Sequence, residues 1–357
     1  MSATGRRVNP LYYLLAAVPV AVAAEVLHWP PLAIFGFSAL AILPLSALLG
    51  HATEQLAGHA GPTVGGLLNA TLGNLAELII AALALRAGMI ELVAASITGS
   101  ILGNLLLVLG AAMLAGGLRY PVQKFNANLA GMSGSLLVIA VVGLVVPALF
   151  AAAHPDPQRV RTVRMSEWVS GLLIVGYALS LLYSMGTHRA AFTEGGDVAR
   201  GEAPPEWGLR RTLLVLAAVA AVIGVLSEFL VGATEEASRA LGLSDFFVGL
   251  VVVPIIGNAA EHSSAVLMAL KDRMDLAVNI AIGSCVQVAL LVAPILVFLG
   301  VAFGQPMTLA FSTFEVASVT LAVLIAMAVL QDAESNWLEG ALLLVVYAVL
   351  AVAFFLY

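Results

Sequence analysis

Eleven apolar stretches, each about as long as a bilayer is thick, run nearly end to end through this chain of 357 residues. They occupy 11–28, 31–57, 63–86, 89–116, 127–152, 167–187, 210–238, 245–270, 275–301, 308–330 and 335–357. A spanning helix needs about 20 mostly apolar residues. In lipid every backbone N–H and C=O must be bonded internally, which only helices and closed barrels achieve. No period-2 alternation of barrel strands is visible. The expected fold is therefore an all-α membrane protein with eleven transmembrane helices. Composition agrees: 61% of residues are hydrophobic and 10% charged, against about 25% charged in a soluble domain. Such a chain has no polar coat to cover a soluble core, and nothing in it is basic enough for nucleic acid. Residues 11–27 resemble a secretory signal, but no small-residue cleavage site follows, and they read as the first transmembrane helix. Cys285 is the sole cysteine, which excludes an intramolecular disulfide.

Pro and Gly clusters mark the turns, at "HWPP" (28–31), "HPDPQ" (154–158) and "APPEWG" (203–208). Lys and Arg set the orientation. With the N-terminus in the cytoplasm, the inner segments hold Arg6, Arg7, Arg119, Lys124, Arg189, Arg200, Arg210, Arg211, Lys271 and Arg273. The outer segments hold Arg86, Arg159, Arg161, Arg164 and Arg239. This bias favours a cytoplasmic N-terminus and an external C-terminus, and the expected location is a prokaryotic inner membrane. The segment 188–209, with Glu194, Asp197, Glu202 and Glu206 among arginines, reads as a solvated cytoplasmic linker.

The chain repeats itself. At an offset of 184 residues, Val64-Gly65 meets Val248-Gly249, Gly73-Asn74 meets Gly257-Asn258, Glu77 meets Glu261, and Gly99-Ser100 meets Gly283-Ser284. Downstream, Trp168 and Gly171 match Trp337 and Gly340 at an offset of 169. The reading is an N-terminal segment with one helix (1–30), a first five-helix repeat (31–187), the linker, and a second five-helix repeat (210–357). Five is odd, so the second copy enters the membrane from the opposite side. Inverted repeats of this kind characterise secondary transporters, whose site lies near the midplane where the repeats meet.

Residues three apart share a helix face. Asn74 and Glu77 therefore point the same way, as do Asn258 and Glu261. Ser100 with Asn104, and Ser284 with Gln287, add oxygen donors at helical spacing. An oxygen-rich set suits a hard cation such as calcium, which takes about 6–8 oxygen ligands; zinc prefers nitrogen and sulfur. Glycines beside the glutamates weaken the helices, and Pro254 frees the carbonyl of Leu250. A charged side chain at the bilayer centre costs roughly 2.5–3.5 kcal/mol on translocon scales. The stretches 63–83 and 248–270 hold no Lys or Arg to offset it. Two facing carboxylates in low dielectric need either a divalent cation or protons. These exclude each other at the same oxygens, which is the physical basis of exchange.

The motifs "GNLAEL" (73–78) and "GNAAEH" (257–262), with "KDRMDLAVNIAIGSCVQVALLV" (271–292), resemble the signature repeats of the calcium/proton exchangers. These form the cation/proton exchanger branch of the calcium/cation antiporter superfamily. The resemblance runs from the second helix to the last. It implies that Glu77 and Glu261 bind calcium and protons in turn, with Asn74, Asn258, Ser100, Ser284 and Gln287 lining the site. The sodium/calcium branch tends to carry "GSN" followed by a further Asn or Asp; here the segments read "GSIL" and "GSCV", with neutral Asn104 and Gln287, which favours protons as the counter-ion.

His262 stands next to Glu261 and is either a proton shuttle or a structural contact. His51 and Glu54 share a helix face with Gln55 nearby and read first as a polar packing cluster near the cytoplasmic end, with a proton path as the alternative. Glu228, deep in the seventh helix, is a further relay candidate. Glu315 sits about two turns into its helix with no clear partner. Cys285 reads as a small packing residue beside the site. The expected substrates are calcium and protons in a lipid bilayer, with no cofactor and with oligomerisation left open. A sodium-coupled or broader divalent-cation exchanger on the same fold is the main alternative. A cation channel fits inverted, broken helices poorly. An intramembrane metallohydrolase would want His-Glu-x-x-His, and no such motif is present.

Overall fold

The computed structural model describes residues 10–154, 159–187 and 205–356. Most of the 188–209 linker, including Glu194, Asp197 and Glu202, lies outside the described residues.

A 3₁₀ turn, Pro10–Ala16, leads into α1 (Ala17–Val26) and then α2 (Pro31–Leu72). The following helices are α3 (Leu75–Arg86), α4 (Ile90–Leu102), α5 (Leu109–Gly117), α6 (Ala127–Ala153) and α7 (Val160–Leu181). Beyond the linker come α8 (Leu209–Leu241), α9 (Val253–Gly257), α10 (Ala259–Ala269), α11 (Met274–Gln287) and α12 (Ala293–Ala302). The last two are α13 (Thr313–Val329) and α14 (Trp337–Leu356). Seven helices among the described residues are long and apolar enough to cross a bilayer, and a pair bent by 62°, Asp245–Gly257 with Ala259–Ala269, makes an eighth. Tyr12–Val26 and Thr313–Val329 are apolar but shorter.

Several apolar stretches thus do not become unbroken spans. The second and third run together as α2, which kinks at Gly61 (φ 77°, ψ 170°), a conformation open to glycine. The third and eighth break at their Gly-Asn pairs. Asn74 (φ −93°, ψ 21°) and Asn258 (φ −104°, ψ 13°) both leave helical geometry, and short amide side chains compete readily with helical backbone bonding. The tenth begins at Thr313 rather than 308, because Ser312 and Glu315 form a capping box there. π-helical turns at Gly103–Val108 and Val288–Val292 follow the two Gly-Ser pairs, and a third spans Val248–Val252. Such turns concentrate at functional sites.

Two apolar clusters build the interior. One joins α3 through α7 to α10 through α14, with Leu105, Leu109, Ala281, Leu290 and Leu296 fully buried. The other packs α1 and α2 against α8, through Ala24, Ile42, Ile223 and Leu226. Ala76 and Ile80 of α3 and Val253 of α9 belong to the second cluster, while Ala81, Ala84 and Leu85 of α3 belong to the first. The broken helices therefore lie along the seam between two bodies. Lipid offers no hydrophobic incentive for helices to associate, so close approach over small residues matters. A Cβ on Gly340 of α14 would collide with backbone atoms of Gly110 and Leu114 of α5.

One end of the molecule is tied by polar contacts. Gln123 and Lys124 (β1) pair antiparallel with Glu334 and Ser335 (β2). Lys124 Nζ lies 3.0 Å from Glu334 Oε1. Gln123 Nε2 donates to the Ala269 carbonyl and to Asp272 Oδ1, both at 2.9 Å, and Arg119 donates to the Leu270 carbonyl at 3.2 Å. The loops carrying Arg119, Lys124, Lys271 and Arg273 therefore share one face.

Candidate ion site

Glu77 and Glu261 are each the third residue of the helix restarting after an Asn break, α3 and α10. Both carboxyls stand at helix N-termini, where free N–H groups favour negative charge. Each rests on the glycine of the other motif. A Cβ built on Gly257 would lie 3.6 Å from Glu77 Cβ; one on Gly73 would lie 3.6 Å from Gln287 Oε1 and 3.8 Å from Glu261 Oε1.

The polar neighbours form two hydrogen-bonded groups, one around Ser100 and one around Ser284. The Ser100 hydroxyl donates to Glu77 Oε1, and Asn258 Nδ2 donates to Ser100 Oγ at 3.3 Å. The Ser284 hydroxyl donates to Asn74 Oδ1 at 3.2 Å, and Asn104 Nδ2 donates to Ser284 Oγ at 3.1 Å. Asn74 Nδ2 donates to Gln287 Oε1 at 2.6 Å. The pairs Asn74–Ser284 and Asn258–Ser100 interchange on adding or subtracting 184, as do Gly73–Glu261 and Gly257–Glu77. Cys285 Sγ lies 3.9 Å from the carbonyl oxygen of Ile101, its own counterpart 184 residues earlier.

Asn74, Glu77, Ser100, Asn104, Asn258 and Ser284 are all buried. Three oxygens in this group are buried with no protein donor: Glu77 Oε2, Glu261 Oε2 and Asn104 Oδ1. An unpaired buried acceptor costs about 1–3 kcal/mol, so oxygens left this way fit a cation better than they fit packing. Among the described residues no three His, Cys, Asp or Glu side chains group together as a metal cage. The donors are two carboxylates plus neutral amide and hydroxyl oxygens, a set suited to a hard cation.

The two sides of the site are unequally closed. Glu77 is 3% exposed, and Ala76, Ile80 and Ala81 around it are buried. Glu261 keeps Oε2 buried, but the residues Glu261, His262, Ser263 and Ser264 are all half-buried. Glycine contacts show the same asymmetry. A Cβ on Gly99 would collide with the carbonyl of Leu250, the one freed by Pro254, whereas a Cβ on the equivalent Gly283 meets only Asn279 Oδ1, at 3.8 Å.

Of the proposed relay residues, His262 adjoins Glu261, while His51, Glu54 and Glu228 are not brought to this centre. Among the described residues no hydrogen bond joins His262 to Glu261. His51 Nδ1 lies 3.5 Å from Glu54 Oε2, with both side chains substantially exposed. The two sit in a cluster around Trp207: the His51 ring meets the indole edge-on at 4.9 Å, Gln55 Oε1 accepts from Trp207 N at 3.0 Å, and His59 Nε2 donates to the Trp207 carbonyl at 2.7 Å. This cluster fastens the end of the linker to α2. Glu228 is exposed on α8 and lines a cleft with Leu83 and Arg86, away from the glutamate pair. Helical spacing put each of these acids on a face but not on the face turned inward. Glu315, expected to lack a partner, accepts from the Thr98 hydroxyl at 2.9 Å. Only the tertiary fold joins these two, which lie 217 residues apart.

A family model described as sodium/calcium exchanger protein matches residues 30–186 and 211–356. The chain belongs to the sodium/calcium exchanger protein family. Each matched block carries one Gly-Asn-x-x-Glu, and the gap between the blocks falls on the linker. Within this family the chain is 42% identical over 360 residues to a Ca(2+)/H(+) antiporter of Aphanothece halophytica, covering 97% of this chain and 96% of that one. It is 44% identical over 359 residues to a Ca(2+)/H(+) antiporter of Synechocystis sp., covering 96% of each. The solved structure of native YfkE superposes with a TM-score of 0.84 at 38% identity, covering 97% of this chain and 100% of that one.

Proposed function

We propose that this member of the sodium/calcium exchanger protein family is a secondary antiporter that moves calcium in exchange for protons. One observation carries the reading: a buried and a half-buried glutamate from separate halves of the chain, Glu77 and Glu261, each keep a buried carboxyl oxygen with no protein donor, and among the described residues no Lys or Arg pairs with either. Two bound protons or one divalent cation neutralise the pair. The doubly charged empty pair is the costly state in a low-dielectric seam. The site therefore crosses between faces loaded, with calcium in one direction and protons in the other. Relatives named Ca(2+)/H(+) antiporters support this assignment.

In this reading Glu77 and Glu261 are the exchanging ligands, with Asn74, Asn258, Ser100, Ser284, Asn104 and Gln287 completing or positioning the shell. The matched couples at an offset of 184 support two inverted five-helix repeats after an N-terminal helix, eleven spans in all, counting α1 and α13 and taking each broken helix as one. The half-buried run from Glu261 to Ser264 supports an opening of the site on the α10 side. The seam between the α1–α2–α8 body and the rest is where the two bodies move relative to one another.

The test is calcium flux in proteoliposomes. A proton gradient, acid on the face opposite the loaded calcium, should drive calcium across without sodium. Calcium movement that needs a sodium gradient and ignores the proton gradient would replace this reading with the sodium-coupled one.

A further inference from the structure

We propose that Glu315, acting through Thr98, is a positioning residue for the ion site. The proposal rests on the reading of Glu77 as an ion ligand. Glu315 is 4% exposed and Thr98 is 2% exposed. Both carboxyl oxygens of Glu315 are engaged: Oε1 accepts from the Thr98 hydroxyl at 2.9 Å and Oε2 from the Ser312 backbone N–H at 3.0 Å. The Glu315 N–H in turn donates to Ser312 Oγ at 3.3 Å.

A capping box accounts for the Ser312 contacts. It does not account for Thr98, which belongs to α4, far away in the chain. Thr98 opens a run of three successive α4 residues that each contact a different element. Thr98 itself holds Glu315 of α13. Gly99 presses its bare Cα against the carbonyl of Leu250. Ser100 donates to Glu77 of α3 and accepts from Asn258 at the α9–α10 break. Successive helical residues are rotated by about 100°, so these contacts grip α4 around more than half its circumference. That grip sets its rotation, and hence the direction of the Ser100 hydroxyl. Helical hydrogen bonding cannot do this alone, because α4 passes at Gly103 into a π-helical turn whose register is irregular. A carboxyl suits the task because it accepts at both oxygens at once; a glutamine accepts at only one.

The experiment compares Thr98→Val, Thr98→Ser, Glu315→Gln, Ser100→Ala and the double variant Glu315→Gln/Ser100→Ala in proteoliposomes. Thr98→Val and Glu315→Gln should raise the KM for calcium about tenfold, while Thr98→Ser, which keeps the hydroxyl, stays at the wild-type value. Adding Glu315→Gln to Ser100→Ala should have no further effect on KM. Wild-type KM in both Thr98→Val and Glu315→Gln overturns the proposal, and so do effects of Glu315→Gln and Ser100→Ala that multiply independently. A thermal-unfolding cycle on the same variants reads the coupling without transport: non-additive Tm shifts are expected, and additive shifts overturn the proposal. A wild-type chain that fails to exchange calcium would sink the transport reading while the cycle still decides this one.

Discussion

Ser284 donates its hydroxyl to the Asn74 amide oxygen at 3.2 Å, across 210 residues of sequence. Its mate is the contact of Asn258 with Ser100 at 3.3 Å. Each Asn breaks its own helix and then uses its side chain to hold the Gly-Ser pair of the other half. The break and the cross-link are one device. It brings a glutamate from each half to a common seam with carboxyl oxygens unspent.

Replacing either acid by its amide should remove exchange and leave the fold. Glu77→Gln keeps an acceptor for Ser100 and removes a charge that no Lys or Arg among the described residues offsets. Calcium flux should fall to background in Glu77→Gln and in Glu261→Gln, with Tm equal to or above that of the wild type. Normal flux in either variant would remove that residue from the site.

In the proposed exchange protons and calcium compete for the same oxygens, so calcium binding should weaken as pH falls. Metal affinity of such ligands is pH-dependent because binding releases protons. The half-saturating calcium concentration should rise by up to about tenfold per pH unit for each proton displaced. Equilibrium binding of radioactive calcium to the purified protein across two pH units measures this. A flat profile would mean that calcium displaces no proton.

The paired glycines should respond unequally to the same substitution. A methyl on Gly99 meets the Leu250 carbonyl, and overpacking of this kind costs roughly 1–3 kcal/mol. Gly283→Ala has room, with Asn279 Oδ1 the nearest atom at 3.8 Å. Thermal unfolding in detergent should show a lowered Tm for Gly99→Ala and little change for Gly283→Ala. Equal losses would contradict the asymmetric closure of the seam.

At the tied face, burial should outweigh charge. Lys124 and Glu334 form an exposed ion pair, worth about 0–1 kcal/mol. Gln123 is 1% exposed, with two bonds at 2.9 Å to residues 269 and 272, and truncating it strands the buried Ala269 carbonyl at about 1–3 kcal/mol. Gln123→Ala should therefore lower Tm more than Lys124→Ala does; the reverse order would mean that the ion pair holds these loops together.

Much of this was legible in the sequence. The repeat at offset 184 named the glutamates, asparagines and serines that the fold brings together, because a duplicated polar motif in apolar chain stands out against its background. The glycines beside the glutamates were visible as weak points, though the breaks fall on the neighbouring Asn74 and Asn258, and α2 runs through the gap expected between two spans with its kink at Gly61. His51 and Glu54 form the polar packing cluster that their spacing suggested, around Trp207. The relay candidate Glu228 was misplaced for a physical reason: spacing ranks residues by helix face, and only packing decides which face turns inward. Glu315 was misjudged because its partner, Thr98, lies in another element.

The sequence by itself determined that this chain lies in a membrane, that it is helical, and that one acid motif occurs twice. These properties come from composition and local periodicity, which act within a few residues of each position. Only the tertiary structure decided that Gly73 seats Glu261 and Gly257 seats Glu77, that Gly99 closes on Leu250, and that the α10 side of the site packs less closely than the α3 side. Such contacts depend on how helices cross, and crossing is set by side-chain shape summed over the whole assembly.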